Sequence, residues 1–296
     1  DDGIVIAPTD APASVAGLID APGDHPVPSE ASLAAGRRLW DFIGQVNADD
    51  VYIVLLTGGA SALCVLPIEG VTLEQKRHAT MQLMHAGASI AELNQLRRRL
   101  SRIKGGGLER RLAPARCITL AISDVQGEDP EVIGSGPTMS SAASLANYVV
   151  IATLDDALRA ARAYAAADGI EIMDLGRTLY GSVESEAVRI VAEIHRCRAA
   201  RRFGDRPTLL LAGGEPVITV QGDGVGGRAQ HLALAIGAQL DGLEGVTVLA
   251  GGTDGIDGPT SAAGAFTDGA TAPRLRARRL NVADVLSRCD SHSALA

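Results

Sequence analysis

Residues 51–70 read VYIVLLTGGASALCVLPIEG, and the fold turns on how this stretch is read. Tyr52 to Leu56 is an unbroken apolar run that stops at Thr57-Gly58-Gly59-Ala60-Ser61 and then resumes. An apolar run closed by small residues predicts a strand buried on both faces, as in a parallel sheet. Glycines directly after such a strand let backbone N–H groups approach a ligand, and an anion is the natural guest. The turn has neither the Gly-x-Gly-x-x-Gly dinucleotide pattern nor the Gly-Lys-Ser/Thr ending of a P-loop. An ordinary tight strand–helix turn therefore stays open as the alternative.

The motif recurs. A second apolar run, 117–122, leads into Ser123-Asp124-Val125-Gln126-Gly127-Glu128-Asp129 and then Gly134-Ser135-Gly136-Pro137-Thr138. Residues 208–211 lead into Ala212-Gly213-Gly214-Glu215, and 246–250 into Gly251-Gly252-Thr253-Asp254-Gly255-Ile256-Asp257-Gly258. Helical spacing fills the intervals at 30–46, 73–87, 89–100, 154–167, 182–198 and 231–240, with Ser29 and Thr72 as N-caps. Further strands are expected at 148–152, 170–175 and 217–220. Alternating strands and helices predict an α/β protein with mostly parallel sheets. A run of small polar residues at 139–146 sets the expected boundary between a Rossmann-like first domain, 1–140, and a second α/β domain, 141–296.

Composition narrows the function. The 296 residues are 46% hydrophobic and only 3% aromatic, with 34 glycines and a formal net charge of −8. That balance gives no electrostatic case for nucleic acid or an anionic membrane. No apolar stretch reaches the length of a membrane span, and the expected location is the cytoplasm. Cys64, Cys117, Cys197 and Cys289 are scattered without a CxxC pair, which reads as reduced thiols. Only two lysines occur, Lys76 and Lys104, so few residues can place a compact ammonium on a phosphate.

The chemistry-bearing residues lie at the strand ends. Asp124 and Asp129 follow the carboxyl end of a strand, where α/β folds bind ligands, and are metal candidates, with a solvated loop as the alternative. Lys104 precedes Gly105-Gly106-Gly107, which suits either a helix C-cap or a phosphate site. Gly226-Gly227-Arg228 opens the 231–240 helix, so Arg228 and that helix N-terminus make an anion site or an exposed turn. Glycine turns, acids and one arginine loop suit phosphoryl transfer, which needs positioning, a metal and cationic clamping more than a covalent group.

The segments GDHPVPSEAS, LLTGGASALCVLP, ELNQLRRRLSRIKGG, LAISDVQGEDPEVIGSGPT, LAGGEP, GVGGRAQHLALA and AGGTDGIDGPTSAAGAF resemble, in order, the bacterial glycerate 2-kinases with a C-terminal MOFRL domain. Many of those are labelled hydroxypyruvate reductase. The resemblance spans roughly 23–296. It implies two α/β domains with the active site in the cleft between them, and ATP- and Mg2+-dependent phosphorylation of D-glycerate to 2-phosphoglycerate. On it, Arg228 takes the charge-stabilising catalytic role; Lys104, and Asp254 as a metal or hydroxyl-orienting acid, are the further catalytic candidates. Gly58, Gly59, Ser61, Gly105, Gly106, Gly136, Gly213, Gly214, Glu215, Gly226 and Gly227 would face the cofactor or substrate. Asp124, Asp129 and Asp257 would serve the metal. The expected partner is a small-molecule substrate, D-glycerate, with a homodimer left open.

The chain departs from the pattern at Ala60, Gly107 and Ala229, and the family's Gly-Lys-Ala stretch and final segment have no counterpart in it. A partial chain or a decayed member would explain this. Lys104 is then the in-chain replacement for the family's lysine, with Lys76 expected on a surface helix. A catalytically impaired binding homologue and an NAD(P)H-dependent hydroxypyruvate reductase are the competing readings.

Overall fold

The computed structural model describes residues 2–9, 16–25, 27–86, 90–199 and 207–296. It divides into two compact units, Asp1–Thr153 and Leu154–Ala296. The expected boundary at 139–146 is instead a turn inside the first unit, ending in a 3-10 stretch at Ala142–Asn147. The strand after it pairs with the first sheet, and this moves the division to Thr153.

The first unit opens with β1 (Ile4–Val5) and β2 (Ile19–Asp20), a short parallel pair. Helix α1 (Glu30–Ile43) starts at a capping box in which the Ser29 side chain accepts from Ala31 and Ser32 N–H, and it ends at Gly44. Next come β3 (Val51–Leu56), α2 (Ala60–Leu63), α3 (Leu73–His85), α4 (Ile90–Arg99), α5 (Gly107–Leu112), β4 (Arg116–Ser123) and β5 (Tyr148–Thr153). The expected helix end at 87 and start at 89 lie outside the described residues. Strands β3, β4 and β5 form a parallel sheet in that order.

Burial on both faces of β3 is not what the structure shows. Val51, Ile53 and Leu55 are 60, 64 and 73% exposed, whereas Tyr52, Val54 and Leu56 pack inward. The period of two in a strand sends alternate residues to opposite faces, and only one face carries the helical layer within this unit. That layer contributes Leu33, Ile43, Val65, Leu66, Leu73, Ile103, Leu108 and Leu112 to one core.

The second unit comprises α6 (Leu154–Ala167), β6 (Glu171–Leu179), α7 (Val183–Ala199), β7 (Thr208–Gly214), α8 (Arg228–Gln239), β8 (Thr247–Gly251), β9 (Gly264–Asp268), α9 (Thr271–Ala277), α10 (Val282–Ser287) and α11 (Ser291–Leu295). Strands β6 and β7 are parallel, but β8 and β9 pair antiparallel in a separate sheet. The expected strand at 217–220 is reduced to one bridge between Ser182 and Val217. Helix α8 is the hub: Gln230 to Gly237 are all buried. Its apolar residues Leu232, Ala235 and Ile236 pack with Val183, Ala187 and Val191, while Leu234 meets Leu275 and Val285. A helix buried all round tolerates small side chains at its crossings. Among the described residues, no helix is long and apolar enough to cross a membrane.

Candidate functional site

In the first unit, β3 runs into Gly59, whose φ of +78° starts the single turn of α2 and puts Ser61 on it. The backbone here is tightly fitted. A Cβ on Gly58 would lie 2.5 Å from Asp124 Oδ2, so the carboxylate at the end of β4 sits directly against the glycine turn at the end of β3.

The segment between α4 and α5 brings a lysine to the same place. Ser101 Oγ accepts from Ile103 and Lys104 N–H, and Arg102 N–H donates to Leu66 O at 2.8 Å. So held, Lys104 Nζ donates to Ser61 O and to Ser61 Oγ, at 2.6 Å each. Ser61 Oγ in turn lies 3.0 Å from Ser135 Oγ. Lys104 and Ser135 are buried, and Ser61 is half-buried. The structure thus unites two expected residues, Lys104 and Ser61, and adds Ser135. Its only sequence signal was its place between Gly134 and Gly136.

The electrostatics of this cluster are lopsided. Burial, then the nearby charges of Lys76 and Arg97, push the Lys104 ammonium down to about 7 from an ordinary 10.5. Burial and Arg97 bring Lys76 down to about 8. Lys76 is not on the surface as expected: it is 5% exposed, and its Nζ has no hydrogen-bond partner among the described residues. Burial holds the Cys64 thiol up at about 12, so it stays protonated and contributes no counter-charge. Buried Lys76 and Lys104 therefore share their neighbourhood with a half-buried Arg97, and none of the charges that shift Lys104 is a carboxylate. Such an arrangement favours an anion and a neutral amine over three unpaired cations.

The glycines after Lys104 do not form an open phosphate cradle. Gly105 N–H donates to Ser135 O at 3.0 Å and Gly106 N–H to Gly136 O at 2.7 Å. These amides instead clamp the Gly134–Gly136 turn, where φ is +58°, +68° and +60° in succession. Gly136 N–H closes that turn on Ile133 O. Asp129 holds its lead-in, with Oδ1 accepting Glu131 N–H at 2.9 Å.

In the second unit, Arg228 Nη1 lies 2.8 Å from Glu215 Oε1, both side chains being about half exposed. This joins the turn after β7 to the start of α8. Gly213 and Gly214 are set by packing rather than by a ligand. A Cβ on Gly214 would fall 2.3 Å from Leu179 O on the neighbouring strand, and one on Gly213 would crowd Leu154. Gly226 abuts Ser291 and Gly227 abuts Asp257 in the same way.

Asp257 is not placed as a metal ligand. Its two oxygens accept from Ala229 N–H at 2.9 Å, Gln230 N–H at 2.7 Å and Gln230 Nε2 at 3.0 Å. The carboxylate caps α8 across the chain and satisfies the amides that an anion at that helix end would need. The helix N-terminus expected to bind an anion beside Arg228 is already neutralised from within. Asp254 is exposed in the turn after β8, with Oδ1 facing Ile256 N–H at 3.4 Å. Among the described residues, no three His, Cys, Asp or Glu side chains converge as a metal cluster.

Comparison with known proteins identifies the family. The Domain of unknown function (DUF4147) family model matches residues 1–165, and the MOFRL family model matches 208–296. The chain is 36% identical to the D-glycerate 2-kinase of Thermotoga maritima, over 92% of this chain and 73% of that protein. A protein of Agrobacterium vitis named as a hydroxypyruvate reductase is 34% identical, over 91% of this chain and 80% of the other. The crystal structure of a glycerate kinase from Thermotoga maritima superposes with a TM-score of 0.81 at 32% identity, covering 99% of this chain and 79% of that one. The chain, with its DUF4147 and MOFRL regions, therefore belongs to the glycerate 2-kinase family.

Proposed function

We propose that the protein transfers the γ-phosphoryl group of ATP to the 2-hydroxyl of D-glycerate. The observation that carries this reading is the pairing of buried Lys76 and Lys104 with half-buried Arg97 beside Ser61, without a carboxylate among the charges acting on Lys104. It suits a small acid or a phosphate, and the named activity of the relatives selects glycerate and ATP among such anions.

Lys76 and Arg97 would hold the bound anion. Lys104, close to half protonated at neutral pH, would take the proton leaving the acceptor hydroxyl. On the second unit, Arg228 would neutralise charge developing on the transferred group, oriented by Glu215. For Mg2+, Asp124 fits: it is a carboxylate against the Gly58 turn, and this ion binds through one or two carboxylates with phosphates and water supplying the rest. Held by Asp124, a divalent cation there would supply charge neutralisation for the bound phosphates.

The test is a coupled assay for ADP release with D-glycerate and Mg-ATP, run beside hydroxypyruvate with NADH or NADPH. Glycerate-dependent turnover is expected, falling about 10²–10³-fold in kcat for Arg228→Ala with unchanged thermal stability. Oxidation of NAD(P)H, or no glycerate-dependent ADP release, would overturn the reading.

A further inference from the structure

The hydrogen-bonded chain Lys104–Ser61–Ser135 does more than hold an anion. Ser61 has the position of a nucleophile: it follows a parallel strand and a left-handed glycine, on the first turn of a short helix. Its Oγ has a lysine amine 2.6 Å away on one side and a second hydroxyl 3.0 Å away on the other. The amine is pinned by its other bond, to Ser61 O at 2.6 Å, so it cannot swing off the hydroxyl without losing both contacts. Ser135 holds its place at a φ of +68°, in the left-handed region that non-glycine residues rarely adopt. Gly105 N–H fixes it there by bonding Ser135 O. Buried base, half-buried hydroxyl and a third group orienting that hydroxyl are the parts of an activated nucleophile.

The geometry points to Ser61 as an acyl-accepting nucleophile, with Lys104 as its general base and Ser135 as the orienting hydroxyl, giving slow hydrolysis of small activated esters. As Ser61 Oγ bonds to the acyl carbon, its proton passes to Lys104 Nζ. The ester C–O bond then breaks, and the departing oxygen recovers that proton from Lys104. Water next attacks the acyl-serine, gives its proton to Lys104 and releases the acid, and Ser61 Oγ regains its proton. No other reactant is needed. The groups bearing on Lys104 are Lys76 from α3, Arg97 from α4 and the protonated Cys64 at the end of α2. The two cations favour an acyl group that carries a carboxylate.

The full chain would be treated with p-nitrophenyl acetate and, separately, with a fluorophosphonate probe, without ATP or glycerate, and the adduct mapped by mass spectrometry. The expected result is an adduct on Ser61, absent in Ser61→Ala and formed at least 100-fold more slowly in Lys104→Met. In the parent, its rate should rise with pH through a midpoint near 7. Ser135→Ala should keep the midpoint and slow the reaction. An unlabelled Ser61 in the folded parent, or equal labelling in Lys104→Met, would overturn the proposal. Neither outcome depends on kinase turnover, so the phosphoryl-transfer reading stands or falls separately.

Discussion

Lys104→Met should make the protein more stable, although it removes two hydrogen bonds. Lys104 is buried, and its folded-state value of about 7 lies far below the ordinary 10.5. At about 1.4 kcal/mol per pH decade, that difference is a folding penalty of roughly 5 kcal/mol, present in full below pH 7. The unfolded chain binds the proton more tightly than the folded one. The penalty therefore shrinks as pH rises from about 7 and vanishes near 10.5. Methionine has a similar length and no charge. Against its gain stand the unpaired Ser61 O and the weakened Ser61 Oγ network, which together cost about 2–3 kcal/mol. The net is a stabilisation of roughly 2 kcal/mol at pH 7, or ~4–8 °C in the melting point of a unit this size. The assay is guanidinium unfolding of parent and variant at pH 6.5, 8 and 9.5. The advantage should fall across that range and reverse at the top, where the lost hydrogen bonds outweigh what remains of the penalty. A variant less stable than the parent at pH 6.5, or a difference independent of pH, would refute a buried, destabilising amine. The variant should also lose glycerate phosphorylation, in the usual exchange of stability for function.

Two other substitutions test assignments made by the structure. Asp257→Ala leaves the Ala229 and Gln230 N–H groups at the start of α8 without an acceptor and should cost about 3 kcal/mol in chemical denaturation, with Asp257→Asn recovering part. Unchanged stability with lost activity would instead return Asp257 to a metal role. Gly106→Ala places a Cβ 2.2 Å from Ser140 Cα at a φ of +75°. It should destabilise the first unit by at least ~3 kcal/mol, whereas Gly127→Ala, also at positive φ but with open space around it, should cost only about 1 kcal/mol.

Helix α6 was legible residue for residue at 154–167, and β3 at 51–56, because their patterns are local: a 3.6 period in one and a bounded apolar run in the other. The Ser29 cap was legible for the same reason. The pairing partner of a strand is not local. Residues 148–152 read as a strand, but nothing in them says that they join β4 and so belong to the first unit. The antiparallel β9 was missed because its Gly264-Ala265-Phe266-Thr267-Asp268 run carries too little apolar alternation to stand out.

The candidate site divides along the same line. Sequence by itself determined the inventory: four glycine turns at strand ends, only two lysines, one arginine at the start of α8, and the ordered motifs that mark the family. It placed Lys104 and Ser61 on the list for separate reasons, 43 residues apart, and Arg228 and Glu215 likewise, 13 apart. Tertiary structure decided which of these meet and which groups were already occupied. A polar group has a limited number of hydrogen-bonding positions, and those it spends within the fold are not free for a ligand. Asp257 therefore spends its oxygens on α8, and Gly105 and Gly106 spend their amides on the Ser135 turn, while Lys104 reaches Ser61. Burial, which no sequence pattern assigned to Lys76, then turned an ordinary helix lysine into part of the charge that defines the site.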